Sequence, residues 1–158
     1  MISISPRDGP AAAGLSSLKG APMAHIVIEY SAGLRERLAL PAFLSAVHQA
    51  AIATGVFPIG GLRTRAYEAQ DYVIADGHPD NAFVHLSLKV GHGRDVETRK
   101  RACEIIFDAA CRHLAPIYES QPLAISLEMQ EIDPVLTFKK NNLHEHVKRR
   151  QGCPAGQA

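Results

Sequence analysis

A glycine-rich junction before an arginine is the segment of this sequence best suited to bind an anion. Residues 89–95 read Lys-Val-Gly-His-Gly-Arg-Asp, so a strand pattern ends at two glycines and Arg94 stands just before a predicted helix start. Free backbone N–H groups at a helix start attract anions, and a guanidinium group donates paired hydrogen bonds to a carboxylate or phosphate. The segment is not a dinucleotide fingerprint, because Val96 replaces the third glycine. We predict either an anion site at Arg94 or a glycine turn with a solvated arginine.

Arg63 and Arg65 form a second cationic feature, directly after Gly60-Gly61-Leu62. They are two residues apart on a predicted strand, so their side chains project to the same face. Two like charges on one face repel each other, and an anion bound near them would explain the pair. A solvated strand face explains the same pattern equally well.

The histidines do not form a metal-binding motif. His78, His85 and His92 recur every seven residues, but they fall in a turn, a strand and a turn, so one convergent site is not expected. The sequence also lacks a nucleophile elbow, a paired-histidine zinc helix motif and a phosphate-binding loop. We therefore predict no metal at this stage.

The composition is that of an ordinary soluble protein. The 158 residues are 46% hydrophobic and 21% charged, with a net charge of +1, which fits one domain and gives no basic surface for nucleic acid. No apolar run approaches the roughly 20 residues of a membrane-spanning helix. The three cysteines lack metal-ligand spacing, and Cys103 and Cys111 fit small buried thiols on a helix. We expect a cytoplasmic protein without nucleic-acid or membrane partners.

The first 22 residues differ from the rest of the chain. They are rich in Ser, Pro, Gly and Ala, without a sustained apolar period, and their short apolar run is too weak for a secretory signal. We predict that residues 1–22 are a disordered extension, or sequence upstream of a true start at Met23. The domain is predicted over residues 23–150, and residues 151–158 form a flexible tail.

Hydrophobic periodicity predicts a β-α-β unit, a turn and a second β-α-β unit. The strands are predicted at residues 25–30, 62–75, 82–90 and 123–129, and the helices at 40–55 and 95–114, with one short helix before Gly152. Pro116 is expected to end the second helix. This order predicts an α/β fold with a four-stranded sheet and two helices on one face. The other face is expected to be bare and apolar, and therefore to find a partner chain.

Four separated motifs in this order resemble one protein family. They are HIVIEYS at 25–31, TGVFPIGGLRTR at 54–65, ADGHPDNAFVHLSLKVGHGR at 75–94 and FKKNN at 138–142. Together they resemble the 5-carboxymethyl-2-hydroxymuconate Δ-isomerases of the tautomerase superfamily. The similarity runs over nearly the whole chain apart from its ends.

The resemblance implies a tautomerase-like β-α-β repeat fold that assembles as a homotrimer, with active sites near the subunit boundaries. It implies keto–enol tautomerisation of an unsaturated multi-carboxylate in homoprotocatechuate degradation, without a cofactor. The two substrate-binding arginines of the family match Arg63, in GGLR, and Arg94, in GHGR. Phe57 matches an apolar residue near the pocket.

The catalytic position departs from the family pattern. The family uses a proline exposed at the mature N-terminus by removal of the initiator Met, and here the matching position is Ala24, after Met23. In a chain that begins at Met1 the nitrogen of Ala24 is an amide, which is not a base near neutral pH. A free α-amine, in contrast, has a pKa of about 7.7–8.0.

Two hypotheses follow from this departure. The first is an isomerase whose base is the amine of Ala24, in a chain that starts at Met23. The second is a tautomerase-fold protein without efficient activity that binds a carboxylated metabolite. The catalytic residue stays unassigned at this point.

Overall fold

The computed structural model describes residues 23–152, so the predicted extension and the last six residues lie outside the described range. The strands are β1 (Ala24–Ser31), β2 (Leu62–Ala69), β3 (Ala82–Gly91) and β4 (Leu123–Ile132), and the helices are α1 (Leu40–Ala53), α2 (Val96–Tyr118) and α3 (Leu143–Gly152). Short 3-10 turns lie at Ala32–Leu34 and Ile59–Gly61. The predicted α/β repeat fold is confirmed.

The four strands form one sheet in the order β2-β1-β3-β4. β1 is parallel to β2, β3 is parallel to β4, and the central pair is antiparallel. Each parallel pair is joined through a helix, as parallel strands require. Ala24 is paired with Leu62 on one side and with Val90 on the other. The start of β1, the start of β2 and the end of β3 therefore meet at one end of the sheet, here called the Ala24 end.

The core lies between one face of the sheet and the two long helices. Alternate residues of the two central strands, such as Ile28 and Leu86, are fully buried there. Helix α1 contributes residues at helical spacing, and α2 does the same, so an apolar stripe of each helix faces the sheet. The helix residues in this core are Phe43, Val47, Ala51, Ala102, Ile106, Ala110, Leu114 and Ile117.

The opposite face of the sheet, here called the open face, is mostly polar, so the expectation of a bare apolar face is wrong. The strand alternation that buries Ile26 and Leu88 turns their neighbours outward, and many of those neighbours are charged or polar. The pairing places the following side chains on this face: His25, Val27 and Glu29 of β1, Arg63, Arg65 and Tyr67 of β2, Phe83, His85, Ser87 and Lys89 of β3, and Ala124, Ser126, Glu128 and Gln130 of β4.

Two element ends differ from the sequence prediction. β2 ends at Ala69 rather than at residue 75, because its partner β1 ends at Ser31, which is paired with Ala69. Helix α2 continues through Pro116 to Tyr118. Proline removes only one hydrogen-bond donor, and the last turn is retained because Ile117 is buried in the core.

Helix α2 begins as the sequence predicted. Asp95 is its N-cap, and the carboxylate accepts hydrogen bonds from the backbone N–H and the hydroxyl of Thr98, both at 2.8 Å. These two contacts hold the pKa of Asp95 below its usual range. The cap therefore fixes the point at which the chain leaves the loop that carries Arg94.

Candidate active site

Ala24 is the first residue of β1 and lies at the edge of the core. Its backbone nitrogen occupies the position at which a base at the start of this strand would lie. The residue is 2% exposed and lies between Leu62 and Val90 of the neighbouring strands. The carbonyl oxygen of Met23, the preceding residue, accepts a hydrogen bond of 2.9 Å from the backbone N–H of Gly91. The nitrogen of Ala24 is therefore held at the Ala24 end of the sheet, beside the end of β3.

The side chain of Arg94 is hydrogen-bonded to backbone carbonyl groups. Its Nε and Nη2 donate to the carbonyl oxygen of Val56 at 3.2 and 3.0 Å, and its Nη1 donates to the carbonyl oxygen of Gly91 at 2.9 Å. The guanidinium carbon also lies 5.5 Å from the ring centroid of Phe57, a cation–π contact. Arg94 is therefore not the solvated side chain of the alternative interpretation, although the glycine turn before it is present, with Gly93 at a φ of +107°.

These contacts leave Arg94 able to bind an anion. A guanidinium group has five N–H donors, and three of them are used here, so two remain. Arg94 lines a cavity of about 400 Å³ at the N-terminal half of α2. The other lining residues are Thr54, Gly55, Val56, Thr98, Arg101, Ala102 and Ile105.

Phe57, the third predicted site residue, is a support for Arg94 rather than a lining residue of this cavity. It is 4% exposed and belongs to the core. Gly55, two residues earlier, has a φ of +68°, a left-handed conformation that glycine adopts without strain. That turn ends α1 and directs the chain so that Phe57 packs beneath the guanidinium group.

Arg63 lies on the other side of the same loop. Its pairing with His25 places it on the open face, and its Nη1 donates to the carbonyl oxygen of Gly61 at 3.2 Å. Arg94 and Arg63 therefore hold the two ends of the segment from Val56 to Gly61. Neither Arg63 nor Ala24 lines the cavity at Arg94, so the structure brings the site residues to one end of the sheet without enclosing them in a single cavity.

Helix α3 positions the turn before Arg63, a role that periodicity did not reveal. The side chain of Asn141 donates to the carbonyl oxygen of Gly60 at 2.9 Å. His144 packs so closely on Gly60 that a Cβ added there would lie 2.8 Å from the Cα of His144. The signals in the sequence were the Gly60-Gly61 pair and the FKKNN motif, whose last Asn precedes α3.

Other candidates from the sequence are placed apart. His78 lies in the loop between β2 and β3, His85 contacts Ser87 and Ser126 on the open face, and His92 lies 3.6 Å from a carboxylate oxygen of Glu131. Within residues 23–152 no three His, Cys, Asp or Glu side chains are grouped as a metal site. None of the helices described over that range is long and apolar enough to span a membrane.

Comparisons with known proteins identify the family. The family described as 5-carboxymethyl-2-hydroxymuconate isomerase matches residues 24–147. The 5-carboxymethyl-2-hydroxymuconate Delta-isomerase of Escherichia coli is 41% identical over 126 residues, which are 80% of this chain and 100% of that protein. The chain belongs to the 5-carboxymethyl-2-hydroxymuconate isomerase family. It is therefore an isomerase of the tautomerase type.

Two solved structures of 5-carboxymethyl-2-hydroxymuconate isomerases are similar to this chain in sequence and fold. The crystal structure of a 5-carboxymethyl-2-hydroxymuconate isomerase from Deinococcus radiodurans R1 is 35% identical, with a TM-score of 0.76 over 80% of this chain and 96% of that one. A second structure, of a 5-carboxymethyl-2-hydroxymuconate delta-isomerase, is 32% identical, with a TM-score of 0.74 over 79% of this chain and 93% of that one. The family match begins at Ala24, the first residue of β1.

Proposed function

We propose that this family member catalyses the keto–enol tautomerisation of 5-carboxymethyl-2-hydroxymuconate, or of a closely similar unsaturated multi-carboxylate, in homoprotocatechuate degradation. The observation that carries the proposal is the 41% identity over the whole length of the Escherichia coli enzyme. The placement of Ala24, Arg63 and Arg94 at one end of the sheet supports it. The reaction uses no cofactor. Cys103 and Cys111 are free thiols, which agrees with a cytoplasmic location.

The charge of this substrate matches the arginines. A muconate has two carboxylates, and the carboxymethyl group adds a third. Arg63 and Arg94 each keep N–H donors that their backbone contacts do not use, and these donors bind carboxylates. They also stabilise the negative charge that develops on oxygen when the enol loses its proton.

The base in this proposal is the α-amine of Ala24, in a chain that starts at Met23 and has lost that Met. The amine takes the proton of the 2-hydroxyl group as the enol becomes a ketone, and the proton returns to a carbon of the conjugated system. The composition of the substrate is unchanged. An amine with a pKa of about 7.7–8.0 is partly unprotonated near neutral pH, as a general base must be.

Removal of Met23 would also free a donor for the reaction. The Met23 carbonyl oxygen is the acceptor for the Gly91 N–H, at 2.9 Å. Without Met23, that N–H is an unpaired backbone donor one strand away from the new amine. A substrate oxygen in the place of the Met23 oxygen would receive this hydrogen bond next to Arg94, whose Nη1 is bound to the Gly91 carbonyl.

The same proposal includes a homotrimer. The segment after β4 carries three large apolar side chains that residues 23–152 leave exposed: Val135 is 78% exposed, Leu136 is 76% exposed and Phe138 is 93% exposed. Such a patch is typical of an interface. Light scattering at micromolar concentration should give the mass of three chains, and a monomer at that concentration would refute the assembly.

A second candidate function follows from Ala24. The family's proline is a secondary amine, and this chain has alanine in its place. A tautomerase-fold protein that binds a carboxylated metabolite without efficient turnover would keep the arginines and lose the base. The family membership favours the isomerase, and turnover measurements separate the two functions.

The experiment follows the ultraviolet absorbance of 5-carboxymethyl-2-hydroxymuconate with the wild-type chain that starts at Met23 and has lost that Met, and with an Arg63→Gln variant of the same form. Glutamine keeps a donor for the Gly61 carbonyl but removes the charge. We expect the variant to lose about tenfold or more in kcat/KM, because a hydrogen bond to a charged group is worth about 1.5–3 kcal/mol. Equal rates in both proteins would remove Arg63 from the site, and no turnover in the wild type would leave the binding function.

A further inference from the structure

A polar cavity lies at the opposite end of the sheet from Ala24, and the proposed mechanism gives it no role. Its volume is about 330 Å³. It is bordered by the end of β1, the segment before α1, the loop between β2 and β3, and the turn between α2 and β4. It is here called the Ser31 cavity, after the last residue of β1, which lines it.

Arg37 supplies the positive charge of the Ser31 cavity. Its Nη2 donates to the hydroxyl oxygen of Ser120 at 2.5 Å, and its Nη1 donates to the side-chain oxygen of Gln121. Both partners are neutral, and the ion pairs within residues 23–152 do not include Arg37. A guanidinium group has five N–H donors, so three remain for a ligand. The two contacts orient the group, and a carboxylate is the acceptor that suits its planar fork.

Asp80 supplies the negative charge of the same cavity. One of its carboxylate oxygens lies 3.8 Å from the Nδ1 of His78, in a pair whose side chains are 57% and 72% exposed. An exposed pair of this kind is weak and leaves the carboxylate available. Arg37 and Asp80 line one cavity but are not within 4 Å of each other. The cavity therefore presents two opposite charges that do not neutralise each other.

A buried hydroxyl group also borders the Ser31 cavity. Ser31 is fully buried, and its Oγ accepts a hydrogen bond of 3.2 Å from the backbone N–H of Phe83. Within residues 23–152 the hydroxyl proton of Ser31 has no acceptor. Buried donors are almost always paired in folded proteins, and an unpaired one is destabilising. An acceptor oxygen bound in the cavity would receive this proton.

We propose that the Ser31 cavity binds a small zwitterion, an α-amino acid. Its carboxylate contacts Arg37 and the hydroxyl group of Ser31, and its ammonium group contacts Asp80. A molecule with one charge satisfies only one of the two charged side chains, whereas an α-amino acid satisfies both. The remaining lining residues are mostly small or polar, so a short polar side chain such as that of L-serine suits the cavity. This site is separate from the proposed reaction at Ala24.

Amide chemical shifts of the ¹⁵N-labelled full chain test this site without any need for turnover. The probes are L-serine, which carries both charges, and propanoate and ethylammonium, which carry one each. We expect L-serine to shift the amide signals of residues 31–37 and 80–82 and to saturate. Each single-charge probe should bind at least about tenfold more weakly, because one charge-assisted contact is missing. No saturable shift at millimolar L-serine, shifts confined to the Ala24 end, or equal affinity for either single-charge probe would overturn the site.

Substitutions of the two charged side chains assign each end of the ligand. Arg37→Gln and Asp80→Asn should each weaken L-serine binding about tenfold. Arg37→Gln should leave the affinity for ethylammonium unchanged, and Asp80→Asn should leave that for propanoate unchanged. Arg37→Lys keeps the positive charge and should restore part of the L-serine affinity. Asp80 is an exposed loop residue, so its variant tests the proposal even where the loss of the Arg37 contacts disturbs the turn at Ser120. Unchanged L-serine affinity in a folded Asp80→Asn variant would overturn the site.

Two control variants remove one charge each from exposed positions of α2 outside the cavity. They are Arg112→Gln and Asp108→Asn, and both should leave L-serine affinity unchanged. Losses in these controls as large as in the cavity variants would show a general charge effect and overturn the site. L-serine binding that depends on Arg37 and Asp80, in a protein without isomerase turnover, would keep the site and remove the isomerase. Circular dichroism spectra that match the wild type establish that a variant is folded.

Discussion

Replacement of Gly60 by alanine tests how α3 holds the turn before Arg63. A Cβ built on Gly60 lies 2.7 Å from the Nδ1 of His144 and 2.8 Å from its Cα. The second atom belongs to the backbone and cannot rotate away, so α3 or the turn must shift. Overpacking of this kind costs about 1–3 kcal/mol. We therefore expect Gly60→Ala to lower Tm by roughly 2–12 °C in a domain of this size.

The same substitution should weaken substrate binding. Gly61 follows Gly60, and its carbonyl oxygen is 3.2 Å from the Nη1 of Arg63, so a displaced turn displaces the guanidinium group. We expect KM to rise and kcat to fall, because Arg63 both binds a carboxylate and stabilises the negative charge that develops on oxygen. Thermal unfolding and steady-state kinetics measure the two effects in one preparation.

A matched control is Gly33→Ala. A Cβ on Gly33 would lie 3.6 Å from the hydroxyl oxygen of Tyr72, an ordinary contact, so stability should change by less than about 0.5 kcal/mol. Removing the imidazole in a Gly60→Ala, His144→Ala double variant should restore only part of the loss, since the contact with the Cα remains. Wild-type Tm and KM in Gly60→Ala would refute the packing of α3 on the turn.

Three further predictions concern Arg94, the thiols and an acidic contact. Arg94→Ala should weaken dicarboxylate binding, measured by calorimetry, about ten- to a hundredfold. It should also lower Tm, because the carbonyl groups of Val56 and Gly91 lose their donors. Unchanged affinity in a folded variant would refute the role of Arg94 in anion binding. Burial raises the pKa of Cys103 and of Cys111. Alkylation of these two thiols, followed by mass spectrometry, should therefore be slow near neutral pH and accelerate as the pH rises. Fast labelling at pH 7 would contradict the raised pKa values. The hydrogen bond from Arg35 holds the pKa of Glu68 below its usual range. The contact therefore stabilises the fold at a pH above the pKa of Glu68 in the unfolded chain, and this stabilisation is lost as the pH falls through the pKa of Glu68 in the folded chain. Arg35→Gln should reduce the loss of Tm on the acid side, and an unaltered pH profile of Tm would contradict this role of the contact.

The strands and helices were predictable where apolar residues recur with a clear period. The alternation of Ala82 to Val90 and the helical stripe after Leu40 are both present as predicted. The end of β2 was not predictable from its own residues, because it is set by the end of the neighbouring strand at Ser31. Likewise, Pro116 predicts a helix end from sequence alone, and the continuation of α2 past it is explained only by the burial of Ile117.

The polar open face shows a different limit. The sequence shows which residues alternate, but the prediction overlooked how many outward positions are charged, among them Glu29, Arg65 and Lys89. Pairing across strands, which no local pattern contains, then brings Lys89 beside His25. The grouping of His25, Arg63 and Lys89 on the open face could therefore be recognised only after the register was known.

The candidate site was predictable as a set of residue types but not as an arrangement. Arg63 and Arg94 were proposed from their motifs, and the predicted N-cap at Asp95, next to Arg94, is confirmed. Two of the three donors that Arg94 uses bind the carbonyl oxygen of Val56, which is 38 residues away in sequence. The support from Asn141 depends on a contact across 81 residues. Contacts of this range are set by the tertiary fold.

The most direct test of the central claim compares three N-terminal forms in one tautomerisation assay. The forms are the chain from Met1, the chain from Met23 with that Met removed, and the same short chain with Ala24→Pro, each verified by intact mass. We predict little or no activity in the first, because its position-24 nitrogen is an amide, and measurable activity in the second. The third should be faster, since a secondary amine in a rigid ring has a better-defined lone pair and orientation contributes several kcal/mol to a barrier. A chain from Met1 as active as the Ala24→Pro form would contradict the assignment of the base.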